Sequence, residues 1–70
     1  MEYLRVEFDE RRGIIVDNVE EGFTNEVIEL ETGTYTISLI KPKDFTPESR
    51  EIILRRTTAT RPKVIHFEKV

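Results

Sequence analysis

The sequence predicts an all-β fold, specifically a small antiparallel β-sandwich of six to seven strands in one domain, residues 1–70. The composition supports this, since the chain has eight Ile, six Val and eight Thr but one Ala. Residues branched at Cβ are stiff about χ1 and suit a pleated surface. The pattern agrees, because several segments alternate between apolar and polar residues and none keeps a helical period.

The first predicted strand, residues 2–8, shows this alternation clearly. Leu4, Val6 and Phe8 share one face, and polar residues share the other. This pattern is typical of a strand with one buried face. Four charged residues and a glycine at 9–13 then interrupt it.

The next segment, residues 14–18, predicts a short strand that ends at the turn formers Asp17 and Asn18. Residues 19–26 are predicted to form a loop because they hold a central glycine and show no alternation. A third short strand is expected at 27–30.

The most regular segment of the chain is the fourth predicted strand, residues 34–40, which follows a tight turn at 31–33. Gly33 is expected to supply a positive φ in that turn. The side chains expected to point into the core are Tyr35, Ile37 and Leu39. Those expected on the opposite, uncharged face are Thr34, Thr36 and Ser38.

The second half of the chain predicts two more strands, residues 50–55 and 63–70. The connection at 41–49 contains two prolines, which lack the N–H that a central strand needs. The sequence Thr46-Pro47-Glu48 would also suit the start of a helix. The Ile pair that follows it favours a strand instead.

Three stretches, read in order, resemble the PEGA domain, a small β-sandwich related to carboxypeptidase regulatory-like and transthyretin-like modules. The stretches are GIIVDN, EEGFTNEVIELETGTYTISL and DFTPESREIIL, and the resemblance covers roughly residues 3–68. Leu30, Gly33 and Tyr35 match the family's Leu-x-x-Gly-x-Tyr signature, and Phe45 matches its later aromatic residue.

The chain departs from the PEGA pattern at two places. DERRG occupies the position of the Pro-Glu-Gly-Ala run, and Asn25 replaces the proline of Gly-x-Thr-Pro. The resemblance implies a non-catalytic module that binds protein or carbohydrate or acts as a spacer in a larger protein.

Charge is divided unevenly along the chain, whose net charge is −3. Residues 1–35 hold three Arg and ten acidic residues, a net charge of −7, whereas residues 36–70 hold eight basic and four acidic residues, a net charge of +4. Two explanations are open: the halves neutralise each other across strands, or they form opposed patches that favour association with a partner or a second copy.

No catalytic arrangement is evident, so we expect the protein not to be an enzyme and to need no cofactor or metal. His66 is the one histidine, and the sequence places no obvious acid–base partner beside it. Neither Ser38 nor Ser49 lies in a strained nucleophile turn of the Gly-x-Ser-x-Gly kind.

The location is expected to be cytoplasmic, with no membrane association. No apolar run approaches the length of a membrane span, and the N-terminus lacks the basic and apolar regions of a signal peptide. A leader already removed would leave no trace in this chain.

We therefore expect a structural or protein-interaction module, binding an unknown protein or self-associating as a homodimer through an edge strand. The terminal strands, 2–8 and 63–70, are the expected edges. The candidate interaction residues are Thr34, Thr36 and Ser38 on the sheet face, Phe23 and Phe45 in loops, and Arg55 and Arg56.

Two alternatives depend on the same residues. A small-ligand or carbohydrate site would need the rings of Phe23 and Phe45 to converge at one end of the domain. A nucleic-acid site would use Arg55 and Arg56 with their basic neighbours. Nucleic acid is the less favoured of the two, because the chain is acidic overall and has no basic strand studded with aromatic residues.

Overall fold

A computed structural model describes residues 1–70, and the chain forms strands and turns with no helix. The all-β prediction is confirmed, although nine strands form instead of the six to seven predicted, and the region around Thr46–Glu48 does not begin a helix. No helix is present that could cross a membrane. The strands are β1 (Glu2–Glu7), β2 (Gly13–Val16), β3 (Val19–Phe23), β4 (Val27–Leu30), β5 (Gly33–Leu39), β6 (Phe45–Thr46), β7 (Arg50–Leu54), β8 (Lys63–His66) and β9 (Glu68–Lys69).

The strands form three sheets, with the orders β4-β1-β8, β3-β2-β5-β7 and β6-β9. All pairs are antiparallel except β1 with β8, which run parallel with Val6 opposite Ile65. The prediction of an antiparallel arrangement is therefore wrong for this one pair. The prediction that the first strand is an edge is also wrong, because β1 lies between β4 and β8. The last predicted strand, 63–70, is divided in two: β8 is an edge of its sheet, as predicted, whereas β9 pairs with β6.

The loop predicted at 19–26 contains a strand instead, β3. Asp17 and Asn18 both adopt a positive φ, 48° and 71°, and join paired residues Val16 and Val19. Two such residues form the tight hairpin turn whose twist matches that of the flanking strands. All five residues of β3 are exposed, so no alternation in the sequence revealed the strand.

Side chains from both larger sheets share one core of thirteen buried apolar residues. Ile37 and Leu39 of β5 are buried and Tyr35 packs against the core, as predicted. The Tyr35 hydroxyl donates to the carbonyl of Glu31 at 2.6 Å. The core residues are Leu4, Val6, Phe8, Ile14, Val16, Leu30, Ile37, Leu39, Phe45, Ile52, Leu54, Ile65 and Phe67.

The glycine that needs a positive φ is Gly22, at +79°, and the prediction of this role for Gly33 is wrong. Gly33 is instead the first residue of β5. Gly22 lies in β3, where the register with β2 shifts, and a left-handed glycine is typical of such a bulge.

Asn25 also lies in the left-handed region, at φ 64°. Proline fixes φ near −65° and cannot adopt this conformation. The Asn25 amide donates to the Phe8 carbonyl at 3.0 Å and accepts from the Phe8 N–H at 3.2 Å, while its own N–H donates to Val6. Asn25 thereby joins the start of β4 to the end of β1.

Candidate interaction edge

Strand β3 is an edge strand that is exposed along its whole length. It ends the four-stranded sheet, and each of its residues from Val19 to Phe23 is exposed. Val19 and Phe23 keep 60% and 41% of their surface in contact with solvent. Exposed apolar side chains on an edge strand are available to a partner. We call Val19–Phe23 the β3 edge.

The main-chain groups of this edge point in directions that follow from the pairing of β2. The Asp17 N–H donates to the Thr36 carbonyl, and the Ile40 N–H donates to the Gly13 carbonyl. Every second residue of β2, namely Gly13 and Ile15, therefore directs its main-chain N–H and C=O groups toward β5. Hydrogen-bonded and non-hydrogen-bonded pairs alternate along antiparallel strands. The β3 residues opposite Gly13 and Ile15 therefore direct their main-chain N–H and C=O groups away from β2. Those residues are Glu20 and Phe23. Since β3 pairs only with β2, and no main-chain hydrogen bond outside the strand pairing involves these two residues, their N–H and C=O groups are free for a partner.

The edge is held in place by a close contact with the other sheet. A Cβ added to Gly22 would lie 2.6 Å from Cγ2 of Ile28, so the glycine lets β4 approach β3 directly. Ile28 in turn packs against the core. This contact fixes the β3 edge relative to the rest of the protein.

A cleft of about 400 Å³ lies beside the contact between β3 and β4. Val16, Val19, Leu30 and Tyr35 supply apolar lining. The charged side chains that line it are all acidic, namely Asp17, Glu21, Glu29 and Glu31, and Met1 with the N-terminal ammonium also lies in the lining. None of these carboxylates forms an ion pair within the chain. The surroundings of the β3 edge therefore favour a basic partner.

Phe23 is covered on one side by the β1–β2 connection. The Arg11 guanidinium lies 3.8 Å from the ring centroid, and its Nε is 3.0 Å from a carboxylate oxygen of Glu26. Stacking of this kind orients the ring while leaving part of it exposed.

The opposite edge of the same sheet is β7, which pairs only with β5. Its Ile53 is 61% exposed, and its main chain makes no hydrogen bond outside that pairing. Arg50 begins the strand, and Arg55 and Arg56 follow it. We call residues 50–56 the β7 edge.

The two arginines predicted as interaction residues, Arg55 and Arg56, are both exposed. Arg56 adopts a left-handed conformation, φ 57°, at the end of β7. Neither guanidinium takes part in an ion pair. Residues 50–66 contain five Arg and Lys and one Glu, a net charge of +4. At this edge, therefore, no ion pair joins the basic residues to the acidic half of the chain.

The predicted sheet-face residues lie on the outer face of β5. Thr34 and Thr36 are exposed, and Ser38 is half-buried. The Ser38 hydroxyl donates to the carbonyl of Glu48 at 2.8 Å, and the Thr36 N–H donates to a carboxylate oxygen of Asp17 at 2.8 Å. These local bonds occupy part of the face, and the depression there has little apolar lining.

The aromatic pair proposed for a carbohydrate site does not form. Phe45 is 7% exposed and packs edge-to-face against Phe8 and Phe67, with centroid separations of 6.3 and 5.7 Å. Its expected exposure as a loop residue is wrong, because the two-residue pairing of β6 with β9 carries the ring inward. Phe23 alone remains at the surface.

One arginine of the DERRG segment, Arg12, is buried, and the sequence did not predict this. Arg12 is 7% exposed, and its guanidinium donates to both carboxylate oxygens of Asp44, at 2.7 and 3.2 Å, and to the Pro42 carbonyl at 2.9 Å. Hydrogen bonds from Arg12 lower the pKa of Asp44, and the same bonds raise the pKa of Arg12. A charge-rich pentapeptide gives no signal that one of its arginines will be buried.

A second ion pair extends this cluster to the C-terminus. Lys69 donates to Glu10, which lowers the pKa of Glu10, and Glu10 also lies 3.2 Å from Arg12. The cluster fastens the 41–49 connection and β9 to the β1–β2 connection. These contacts give it a structural role, because its polar groups are satisfied within the protein.

We compared the chain with models of protein families, with curated proteins and with solved structures, and found no match in any of the three. The function is therefore argued from the geometry of the edges.

Proposed function

We propose that this protein is a non-catalytic protein-interaction module, a small β-sandwich of the PEGA kind, that binds an extended segment of protein along the β3 edge. In this mode the segment adds a strand to the four-stranded sheet. Main-chain hydrogen bonds supply affinity, and pockets for alternate side chains supply specificity.

One observation carries the proposal: the outward main-chain groups of Glu20 and Phe23 have no partner in the protein. Natural edge strands are usually shortened, charged or covered. The β3 edge carries charge at Glu20 and Glu21, but Val19 and Phe23 leave apolar surface beside those residues. This combination suits selective pairing with a matching strand.

The site chemistry supports a basic, apolar segment as the ligand. The cleft beside the edge is lined by both apolar and acidic side chains. An alternating strand could place apolar side chains toward the cleft while basic side chains meet Glu21 and Glu29.

The test uses synthetic eight-residue peptides of alternating Val and Thr, with Lys or Glu at two of the Thr positions. NMR titration of the labelled protein should shift the amide signals of Glu20 and Phe23 first, and the Lys peptide should bind more tightly than the Glu peptide. Shifts centred elsewhere, or none at millimolar peptide, would refute the proposal.

Two substitutions at one position separate the main chain from the side chain. Glu20→Pro removes the outward N–H, whereas Glu20→Ala removes only the carboxylate. We expect the proline variant to lose peptide binding and the alanine variant to keep most of it, with circular dichroism confirming that both remain folded. Equal binding by the two variants would show that the edge N–H is not used.

A further inference from the structure

The two free edges of the four-stranded sheet match each other in three respects. β3 and β7 are both five residues long, both lack a second strand partner, and they lie at opposite ends of one sheet. Each also presents exposed apolar surface, at Val19 and Phe23 on one edge and at Ile53 on the other.

Their charges are opposite. Residues 17–31, which include β3 and β4, contain six carboxylates and no Lys or Arg. Residues 50–66, which include β7 and β8, carry the net charge of +4. Because β3 and β4 touch each other, the acidic strands lie on one side of the protein, and the basic edge β7 lies at the far end of the sheet.

From this match we infer that the partner at the β3 edge is the β7 edge of a second copy of this chain, so that the four-stranded sheet continues from one molecule into the next. The inference rests on the proposed function, since it names the occupant of the same edge. Glu20 and Glu21 of one copy would face Arg50, Arg55 and Arg56 of its neighbour.

The charges also select the symmetry of the assembly. A two-fold dimer through β3 would place Glu20 and Glu21 against their own equivalents, and one through β7 would place arginines together. Like charges directly opposite each other in neighbouring strands are destabilising. Head-to-tail pairing avoids both, and an interface of this kind gives a ring or an open chain of copies.

This geometry permits a complementation experiment with two variants, each lacking one edge. Glu20→Lys with Glu21→Lys reverses the β3 edge, and Arg55→Glu with Arg56→Glu reverses the β7 edge. Each variant alone should remain a monomer, because its intact edge meets only a reversed edge in other copies. The association constant of each should fall at least about tenfold relative to the natural sequence.

An equimolar mixture of the two variants gives the decisive measurement. One intact β3 edge and one intact β7 edge are present, so the mixture should form larger species by analytical ultracentrifugation, containing both variants in equal amounts. A control matched to the β3 variant, Asp9→Lys with Glu68→Lys, makes the same change of +4 in net charge at exposed residues outside both edges. It should associate as the natural sequence does.

Ionic strength supplies an independent readout. The natural sequence should form larger species at about 20 mM salt than at 500 mM, because the Debye length falls from about 20 Å to about 4 Å. Association that is unchanged by either double variant would overturn the inference.

Failure of this inference can be told apart from failure of the proposed function. If the natural sequence stays monomeric at high concentration but the Lys peptide still shifts the Glu20 and Phe23 amides, the edge is a binding site and its partner is not a second copy. If neither peptide nor second copy engages the edge, both ideas are wrong. Binding of a single-stranded oligonucleotide by the β7 edge without self-association would also overturn the inference.

Discussion

Replacement of Gly22 by alanine tests how the β3 edge is held against β4. The new methyl group would lie 2.6 Å from Cγ2 of Ile28, and Gly22 has φ +79°, where side chains are disfavoured. Both effects act on the folded state, so the substitution should destabilise the protein and disturb the β3 edge first.

The magnitude follows from these two contributions. A residue with a Cβ in the left-handed region costs about 1–2 kcal/mol, and inserting a methyl group into packed surroundings costs about 1–3 kcal/mol. Together they amount to about 2–5 kcal/mol. A chain of 70 residues has a typical unfolding free energy of about 4–10 kcal/mol. Gly22→Ala should therefore remove a large part of the stability.

Urea denaturation followed by circular dichroism measures this loss. With a slope of about 1 kcal/mol per molar urea for so small a domain, the midpoint should fall by about 2 M or more. Gly33→Ala is the matched control. Gly33 does not have a positive φ, and an added Cβ would meet the Tyr35 ring at 3.9 Å, an ordinary contact.

A double-mutant cycle separates the two contributions. In an Ile28→Ala background the clashing methyl is gone, and the next nearest atom, Ile28 Cβ, lies at 3.7 Å. Gly22→Ala should then cost only about 1–2 kcal/mol, the backbone contribution. An unchanged urea midpoint in Gly22→Ala, or an equal free-energy cost with and without Ile28, would refute this role of the Gly22–Ile28 contact.

Three further predictions concern the rest of the protein. Asn25→Ala should lower the free energy of unfolding by about 2–4 kcal/mol, because it leaves the main-chain groups of Phe8 without partners and keeps a Cβ in the left-handed region. Asn25→Gly avoids the backbone penalty, so urea denaturation should show a loss about 1–2 kcal/mol smaller. Arg12→Lys should loosen the C-terminus, because lysine cannot make the bidentate hydrogen bond to Asp44. Hydrogen exchange should become faster at the Val70 amide, which donates to the Asp44 carbonyl. The control Arg11→Lys, at an exposed position, should leave that exchange rate unchanged. Hydrogen bonds from the Thr57 hydroxyl, then from Thr32 and the Thr57 N–H, lower the pKa of Glu2 from 4.5 to about 2. Because the pKa of Glu2 is lower in the folded state than in the unfolded state, this stabilisation is complete above about pH 4.5 and is lost as the pH falls toward 2. The melting temperature should therefore drop across that range, and it should drop less in Glu2→Gln. An equal drop in the variant would contradict this assignment.

The sequence predicted the strands whose two faces differ. Residues 2–8 and 34–40 alternate because one face of each packs in the core, and the structure buries Leu4 and Val6 on β1 and Ile37 and Leu39 on β5. The pair Asp17-Asn18 was recognisable as a turn because few other residues tolerate a positive φ twice in succession. Chemistry of this kind is local, so it is visible in the order of residues.

The sequence did not predict the β3 edge, because this strand has no buried face. β3 is exposed along its whole length, so no buried face imposes a pattern on Val19–Phe23. Its place at the end of a sheet, with Glu20 and Phe23 directed outward, depends on the register that β2 shares with β5. The burial of Arg12 is likewise decided by distant residues, Asp44 above all.

The sequence by itself determined the all-β class, the inward face of β5 and the imbalance of charge between the two halves. Tertiary structure alone decided that β1 is central and pairs in parallel with β8, and that the acidic and basic residues lie at opposite ends of one sheet. The physical reason is range: side-chain shape and alternation act within a strand, whereas strand order and charge placement arise from contacts between residues far apart in the chain.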